Sequence, residues 1–251
     1  MLTAEPYRII SGDSSLTHRF NYWDERSMNL RIDEIIDFKV GQNFEEVMEI
    51  YSKKCQSDNT DFSVVRVLSN NQKMIAHLHK NGFYNVETTY IAKCRVNKIQ
   101  NISYSLGKTK SFDNTCDVDE LCLLSSQIFN NGRFTEDYNI GKDKADKRYF
   151  NFANDLYYSD SDRIFMFSKS KLIGFLFFKK SDNNIDLILG GMSSKYSHLA
   201  TVFWSKLFSN FDNDAIVSAT ISGTNIGIIN LYSYFGFSFS DVKCGYHKKW
   251  K

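Results

Sequence analysis

The chemistry of this chain centres on one tyrosine, which lies inside a short apolar segment that ends in glycine. Ile226, Ile229 and Tyr234, with the neighbouring Leu231, have the 3–4 residue spacing of a buried helix face. Gly236 suits the left-handed position that follows a helix end. The pattern from Asn225 to Phe237 therefore predicts a helix followed at once by a strand, with Tyr232 near the open end of a sheet. A phenol with a pKa of about 10 can donate a proton to a departing thiolate. The alternative is an amphipathic core helix in which the tyrosine is incidental.

A second candidate segment combines a glycine pair with a predicted helix start. The run from Leu187 to Met192 reads as a strand that stops early, and it is followed by a loop and then by a helix through Phe211. A strand, a loop and a helix N-terminus together expose unpaired backbone N–H groups, which bind pyrophosphate well. A glycine-containing loop is by itself a weak signal.

Composition excludes several other classes of protein. With 251 residues, 42% of them hydrophobic and 24% charged, the chain can bury the core of one large domain or two small ones. The formal net charge of +2 comes from scattered residues, so the chain lacks the basic stripe of a nucleic-acid binder. Its start lacks the layout of a signal peptide, and no apolar run approaches a membrane span, so we expect a cytoplasmic protein.

The cysteines indicate reduced thiols. They are odd in number and show no Cys-x-x-Cys or Cys/His ligand spacing, so neither a disulfide framework nor a metal site is expected. They are Cys55, Cys94, Cys116, Cys122 and Cys244.

The same strand–helix–glycine–strand pattern occurs twice along the chain. The first copy is predicted as strand 62–67, helix 71–80, Gly82 and strand 83–96, and the second as strand 215–220, helix 225–235, Gly236 and strand 237–250. An internal duplication of half-domains explains this economically, although chance recurrence is the alternative. We place the boundary in the polar segment 97–114, which gives two halves, residues 1–100 and 101–251.

The second half has a mixed α/β pattern. A short strand is predicted at Ile102–Leu106, two helices at 117–129 and 142–157, and three strands at 163–168, 172–179 and 185–189. Tight hairpins are expected between these strands, at 169–171 and 181–184.

The segment Asn225–Phe237 resembles the Asn-x5-Leu-Tyr-x3-Gly-Phe signature of the GNAT superfamily of acyl-CoA-dependent N-acyltransferases. The element order of the second half also resembles that of a GNAT catalytic domain. The resemblance implies an α/β fold of tandem GNAT-like halves, in which an incomplete N-terminal half precedes the catalytic half. It also implies that acetyl-CoA is the co-substrate, with no metal, and that Tyr232 protonates the coenzyme A thiolate.

Further site residues follow from that resemblance. Leu189, Gly190 and Gly191 would offer backbone N–H groups to the thioester and the pantetheine amide, with the Asn225 side chain as a second anchor. The pyrophosphate loop would be Ser197, His198, Leu199, Ala200, Thr201 and Val202. This loop departs from the family pattern Gln/Arg-x-x-Gly-x-Gly/Ala, and Val202 narrows the approach of the phosphates, so a loop that has lost the coenzyme is the alternative. Lys195 or Lys206 would supply the missing positive charge.

The general base is left open. Asp186 is the nearest counterpart of the carboxylate that some members of the superfamily use, although an exposed strand residue is the simpler interpretation. His198 and His247 are structural or surface candidates.

Several short segments resemble the TDP-fucosamine N-acetyltransferase family, whose members acetylate the amine of a nucleotide-linked deoxyamino sugar for surface polysaccharides. These segments are 22–24, 29–33, 65–67, 78–88, 133–137, 144–149 and 246–250. The resemblance implies a nucleotide-linked amino sugar as the acceptor, with Arg133 and Phe134 bordering its pocket, although this pair is as easily explained by packing. An acyltransferase for another amine and a non-catalytic GNAT-derived binding protein are the alternatives. Whether the chain forms a homodimer is open.

The first half is expected to bind no coenzyme. The segment Ser52–Asp61, where a phosphate loop would be sought, contains no glycine and leads into no new helix.

Overall fold

The computed structural model describes residues 4–99 and 110–251, so the predicted strand Ile102–Leu106 lies outside the described residues. The strands are β1 Tyr7–Ser11, β2 Ser14–Phe20, β3 Ile32–Lys39, β4 Phe62–Leu68, β5 Tyr84–Arg95, β6 Lys110–Asp113, β7 Asp162–Ser168, β8 Lys171–Ser181, β9 Asn184–Met192, β10 Ile216–Ser222 and β11 Ser238–Lys249. The helices are α1 Tyr22–Met28, α2 Phe44–Ser57, α3 Gln72–Lys80, α4 Val118–Ile128, α5 Lys142–Tyr157, α6 Ala200–Phe208 and α7 Ile226–Tyr234.

The chain forms two compact units, and the segments that build them alternate along the sequence. Unit 1 comprises residues 1–89, 132–145 and 242–251, and unit 2 comprises residues 90–131 and 146–241. The boundary therefore falls inside β5, α5 and β11. The division into halves 1–100 and 101–251 was based on the strand–helix–glycine–strand pattern that occurs twice in the sequence, and it stays a prediction. Unit 1 takes its last two segments from the second of those halves.

Unit 1 is a mixed sheet covered on both faces. Its strands lie in the order β1-β2-β3-β4-β11, with β3 and β4 parallel and the other pairs antiparallel. Alternate residues of β4 face opposite sides. Val65 and Val67 pack with helices α2 and α3, whereas Phe62 and Val64 pack with residues of α1 and of the segment 132–145.

Unit 2 has the same layered construction. Its strands lie in the order β10-β9-β8-β7-β6, with β9 and β10 parallel and the remaining pairs antiparallel. Phe175 and Phe177 of β8 pack with α4 and α5, and Leu176 and Phe178 pack on the opposite face with α6 and α7. Because both faces are covered, β8 reads as a continuous apolar run, which is typical of a central strand.

Two helices, one in each unit, begin and end in the same way. The side chain of Asn71 accepts a hydrogen bond from the N–H of Met74 at 3.1 Å, and that of Asn225 accepts one from Ile228 at 3.2 Å. Helix α3 ends with N–H bonds from residues 82 and 83 to the carbonyls of 79 and 78, and α7 with bonds from residues 236 and 237 to 233 and 232. Gly82 and Gly236 have φ of +79° and +82°. Both ends are Schellman motifs, so the predicted glycine stops are confirmed.

The other predicted elements of the second half occur close to the predicted bounds, with three differences. Strand β6 was not predicted. The segment expected to be a loop before α6 contains a short 3₁₀ helix, Ser194–Leu199, and α6 ends at Phe208 rather than Phe211.

A fully buried histidine is part of the core of unit 1. Nδ1 of His247 lies 2.7 Å from Oδ2 of Asp137, and the same carboxylate oxygen accepts a hydrogen bond from the Tyr84 hydroxyl at 2.9 Å. Nε2 of His247 has no partner among the described residues, since the rings of Phe62 and Phe134 lie nearby. Burial lowers the pKa of His247 because the imidazolium form would lose its hydration.

We expect His247 to make the stability of the protein depend on pH. Its pKa is lower in the folded state than the unfolded value of about 6.5, so the unfolded chain binds the proton first as the pH falls. The free energy of unfolding should therefore fall below about pH 6.5, by at most about 1.4 kcal/mol per pH unit, until the folded pKa is reached. In urea titrations between pH 7.5 and 5, His247→Asn should show a smaller slope than the wild type.

His198 provides the matched control, because it allows the same substitution at an exposed position. His198→Asn should keep the wild-type slope. An unchanged slope in His247→Asn would contradict the assignment.

Candidate active site

Strands β9 and β10 pair at one end of unit 2 and part at the other. They are paired from Asn184 and Ile216 up to Leu187 and Ala219. Beyond that point β9 continues to Met192, where its described partner is β8. The edge of β9 that faced β10 is thereby released, and its backbone groups border a cleft.

Two glycines of β9, Gly190 and Gly191, lie beyond this point. A Cβ on Gly190 would lie 2.2 Å from Cδ1 of Leu176 and 3.1 Å from the carbonyl oxygen of Phe175, on the paired strand β8. A Cβ on Gly191 would lie 2.6 Å from Cδ1 of Ile128, at the end of α4. Both positions are therefore closed to a larger side chain unless neighbouring atoms move.

A cavity of about 720 Å³ opens where the strands part. Its described lining consists of glycines, apolar or aromatic residues, and neutral polar residues. These residues are Ile128, Phe129, Gly190, Gly191, Met192, Ser197, Ala200, Thr201, Trp204, Asn225, Gly227, Ile228, Asn230, Leu231 and Tyr234. An apolar cavity with a few neutral polar groups is typical of a small-molecule site.

One wall of the cavity contains a helix start. Ser197 of the 3₁₀ helix lines the cavity together with Ala200 and Thr201 of the first turn of α6. Neither Ser193 nor Leu199, which precede these two helices, caps its helix through its side chain. The positive end of the α6 dipole thus faces the cavity and favours an anionic group there.

The opposite wall is formed by α7. Asn225 lines the cavity, although its side-chain oxygen already accepts the N–H of Ile228. Gly227, Ile228, Asn230, Leu231 and Tyr234 continue this wall, and Tyr234 is about half exposed at 49%.

Tyr232 lies on the other side of α7, in the aromatic core. It is 3% exposed and is not among the described lining residues. Its ring stacks on Phe237 with centroids 4.5 Å apart and planes at 16°. This contact joins the two positions whose side chains usually meet in a Schellman motif, so the helix end itself fixes the ring. Burial raises the pKa of Tyr232, and the phenol is therefore neutral over the physiological range.

Trp204 links Tyr232 to the cavity. This residue lines the cavity, and its indole meets the Tyr232 ring edge to face, at 5.7 Å and 84°. Tyr232 is therefore in contact with a residue of the cavity wall.

The structure brings together only part of the predicted coenzyme residues. Gly190, Gly191, Ser197, Ala200, Thr201 and Asn225 line one cavity. Leu189 is buried and pairs with Phe177, so its side chain belongs to the core shared with α4 and α5. His198, Leu199 and Val202 are absent from the described lining, and so are Lys195 and Lys206, both of which are exposed.

The remaining predicted residues lie elsewhere. Asp186 is exposed near the start of β9 and accepts a hydrogen bond from the Ser218 hydroxyl on β10. Arg133 and Phe134 belong to unit 1 and are buried. The guanidinium carbon of Arg133 lies 4.7 Å from the centre of the Phe134 ring, and the Arg133 N–H donates to Glu87 at 3.1 Å.

The cavity also includes Phe129 and Trp204, which the sequence pattern did not single out. It includes Tyr234 as well, and the prediction that Tyr234 and Ile226 lie on a buried helix face is wrong, since they are 49% and 59% exposed. Phe129 and Tyr234 come from predicted helices, but periodicity does not separate a cavity wall from a core face. Trp204 is apolar, and its residue type likewise does not show whether it faces a cavity or the core.

Unit 1 contains a counterpart of this strand–loop–helix arrangement, between β3 and α2. The sequence pattern had placed the possible phosphate loop of the first half in a different segment, Ser52–Asp61. The loop between β3 and α2 includes Gly41, and Oδ1 of Asp13 accepts the N–H of Gln42 there at 2.8 Å. A Cβ on Gly41 would lie 2.1 Å from that same oxygen. A carboxylate of the chain thus occupies the loop. In the helix cap that matches α7, Leu78 of α3 stands at the position of Tyr232.

Among residues 4–99 and 110–251, no group of three or more His, Cys, Asp or Glu side chains could hold a metal ion. None of the helices in the described part of the chain is long and apolar enough to cross a membrane.

The chain matches no family model and no curated protein. It is, however, similar to solved structures along nearly its whole length. A conserved protein of unknown function from Staphylococcus epidermidis has a TM-score of 0.66 at 10% identity, over 98% of this chain and 94% of that one. A GCN5-related N-acetyltransferase from Sphaerobacter thermophilus has a TM-score of 0.64 at 8% identity, over 93% and 76%.

A tandem GNAT protein from the clavulanic acid biosynthesis pathway has a TM-score of 0.62 at 8% identity, over 98% of this chain and 83% of that one. The predicted fold class, a mixed α/β protein with the tandem GNAT fold, is confirmed. At these identities the similarity shows the fold, and the TDP-fucosamine family receives no specific support.

We expect two cavity-lining glycines to respond oppositely to alanine. Gly190→Ala should lower the free energy of unfolding by about 1–3 kcal/mol, because the added methyl group meets Leu176 and the Phe175 backbone. Gly227→Ala should raise it by about 0.5–1 kcal/mol, because the nearest atom to the new methyl lies 3.8 Å away and α7 is helical there. Urea denaturation of both variants measures this contrast. A stable Gly190→Ala variant would show that β8 and β9 can move apart.

Proposed function

We propose that unit 2 is an acyltransferase that uses acetyl-CoA to acetylate an amine. The observation that carries this proposal is the parting of β9 and β10 beside the start of α6, because it places free strand-edge groups and a helix N-terminus on one cavity. The GNAT fold supports acyl transfer in general. Neither observation identifies the acceptor.

The cavity residues fit the parts of an acyl-CoA. Ser197, Ala200 and Thr201, at the positive end of α6, suit the pyrophosphate. The released edge of β9 at Gly190 and Gly191 suits the pantetheine amide and the thioester carbonyl, since backbone N–H groups are good donors to both. The volume of about 720 Å³ falls in the usual range for small-molecule sites.

The reaction joins the amine nitrogen to the thioester carbon and breaks the carbon–sulfur bond. The nitrogen loses one proton and the sulfur gains one. Tyr232 is the proposed donor to the sulfur, as the motif resemblance implies, and its raised pKa keeps the proton on the phenol until a thiolate develops. Tyr232 contacts Trp204 but is not among the described lining residues, so Tyr234, which lines the cavity, is the alternative donor.

The proposed acceptor is a nucleotide-linked deoxyamino sugar. This rests on the resemblance of the short segments that include Arg133 and Phe134. In unit 1 the guanidinium carbon of Arg133 lies 4.7 Å from the centre of the Phe134 ring, and both residues are buried, so packing within unit 1 is the competing explanation of this pair. An amino acid, a peptide or another small amine is the competing acceptor, and a panel of amines assayed with acetyl-CoA separates them.

A non-catalytic acyl-CoA-binding protein is the second candidate. The burial of Tyr232 in the aromatic core favours it, because that hydroxyl is not among the groups that line the cavity. Binding without turnover would identify this case.

We propose one coenzyme site per chain. The loop before α2 holds the Asp13 carboxylate, and Leu78 supplies no proton at the position that matches Tyr232. Titration calorimetry should therefore give a stoichiometry near one.

Acetyl-CoA should stabilise the wild-type protein. At a concentration of about 100 times Kd the gain is about 2.7 kcal/mol, which is visible as a rise in Tm. Ala200→Glu should abolish the rise, because it places a carboxylate where the phosphates are proposed to bind. The fold should tolerate this change, since a glutamate suits the first turn of a helix.

The matched control is Asn210→Glu, which adds the same charge at an exposed position beyond the end of α6. It should keep the wild-type response. A wild type that shows no shift with millimolar acetyl-CoA would count against acyl-CoA binding in any form.

The proton donor is tested by two single-hydroxyl deletions on the same helix. If Tyr232 is the acid, Tyr232→Phe should lower kcat by a factor of about 10² or more and leave acetyl-CoA affinity nearly unchanged. Tyr234→Phe should then keep kcat within a few-fold of the wild type. Steady-state kinetics and melting temperatures are measured on both variants.

The reverse pattern would assign the proton transfer to Tyr234. Normal kcat in Tyr232→Phe, with or without a stability change of about 1 kcal/mol, would remove Tyr232 from the mechanism.

A further inference from the structure

The cavity of unit 2 reaches both faces of its sheet. Helices α6 and α7 pack with Leu176 of β8, and α4 packs on the opposite face with Phe175. The described lining includes residues of α6 and α7, and it also includes Ile128 and Phe129 at the end of α4. A ligand bound where β9 and β10 part can therefore contact side chains on either face.

Ile128 covers β9 at the second glycine. A Cβ on Gly191 would lie 2.6 Å from Cδ1 of Ile128 and 3.7 Å from Cε1 of Phe129. Apart from the flanking residues of the strand, these two side chains supply the three atoms nearest to that position. The space beside Gly191 on this face is thus bounded by apolar atoms.

Aromatic contacts hold Phe129 in place. Its ring stacks on that of Tyr149 in α5, with centroids 4.5 Å apart and planes at 24°. It also meets the ring of Phe175 edge to face, at 6.2 Å and 75°, and Phe175 is fully buried. Displacing the Phe129 ring would disturb contacts with two other elements, which is costly in a close-packed core.

The proposed function gives the direction of a bound acyl-CoA, and the inference rests on it. The phosphates are placed at the start of α6, and the thioester at Gly190 and Gly191. The acyl chain is bonded to the thioester carbon on the side opposite to the sulfur, so it continues away from the pantetheine arm and from α6. At Gly191 it meets Ile128 and Phe129, which line the cavity there.

We propose that Ile128 and Phe129 form the end of the acyl subsite and select the shortest acyl groups. The acetyl methyl group lies against Cδ1 of Ile128, and a longer chain has to displace that side chain or the Phe129 ring. One methylene in a closely fitting apolar pocket changes binding by about 10-fold or more, so the two extra methylenes of a butanoyl group are strongly disfavoured. The selected substrate class is the shortest acyl-CoA thioesters.

The test measures Kd for coenzyme A, acetyl-CoA and butanoyl-CoA by titration calorimetry, without acceptor and without turnover. The wild type should bind butanoyl-CoA at least about 10-fold more weakly than acetyl-CoA. Ile128→Ala removes the atoms nearest to Gly191 and should bring the ratio of the two Kd values to about one or below. Phe129→Leu, which removes a ring farther from Gly191, should give an intermediate ratio.

Leu124→Ala is the matched control for Ile128→Ala. Leu124 lies one turn earlier in α4 and packs against the same core, but it is not among the described residues that line the cavity. The two substitutions remove the same number of carbon atoms. Leu124→Ala should therefore lower Tm in a similar way and keep the wild-type ratio of Kd values.

A folded Ile128→Ala variant with the wild-type ratio would overturn the inference, and so would a wild type that binds butanoyl-CoA as tightly as acetyl-CoA. If Ile128→Ala does not fold, a wild-type ratio in Phe129→Leu has the same force. The proposed function survives these outcomes, because acetyl-CoA still binds in each of them. Its own failure looks different, because neither acetyl-CoA nor coenzyme A would then produce heat with the wild type.

Discussion

The site in unit 2 depends on a limit to strand pairing. Four residue pairs join β9 to β10, and beyond Leu187 and Ala219 the two strands separate while β9 stays paired with β8. A β-strand that loses a neighbour must offer its N–H and C=O groups to something else. At the glycines of β9 beyond this point there is little room for a side chain, because a Cβ on Gly190 would meet Leu176 of β8 and one on Gly191 would meet Ile128 of α4. The cavity, the helix start and the α7 wall are all arranged around this opening.

Much of the fold could be predicted because local chemistry and global packing agree. Asn225 and Gly236 delimit α7 through a side-chain cap and a left-handed turn, and Asn71 and Gly82 do the same for α3. These are short-range interactions whose residue types and spacing are visible in the sequence. The strands around the hairpins of unit 2 were predictable for the same reason. Residues 1–61 gave no comparable signals, and their elements became clear only in the structure.

The site was less predictable than the fold. A helix pattern identifies an apolar face, but whether that face meets a core or a cavity depends on residues far apart in the chain. Tyr232 and Tyr234 show the difference, since they are two residues apart on one helix and only the second lines the cavity. The contact of Trp204 with both the cavity and Tyr232 results from tertiary packing. The resemblance pointed to the helix and the strand end that line the cavity, but it gave no sign of this contact.

The two units differ in whether a side chain of the chain itself accepts hydrogen bonds from the backbone N–H groups just before the helix, which is α2 in unit 1 and α6 in unit 2. In unit 1 the Asp13 carboxylate accepts the N–H of Gln42, so the chain supplies its own anion next to α2. In unit 2 no side chain of Ser193 or Leu199 caps the helix that it precedes. An anion bound at the start of α6, as proposed for the phosphates of acyl-CoA, would stabilise that segment by mass action, so local opening there would depend on the ligand concentration. The loop before α2 already holds a carboxylate of its own chain.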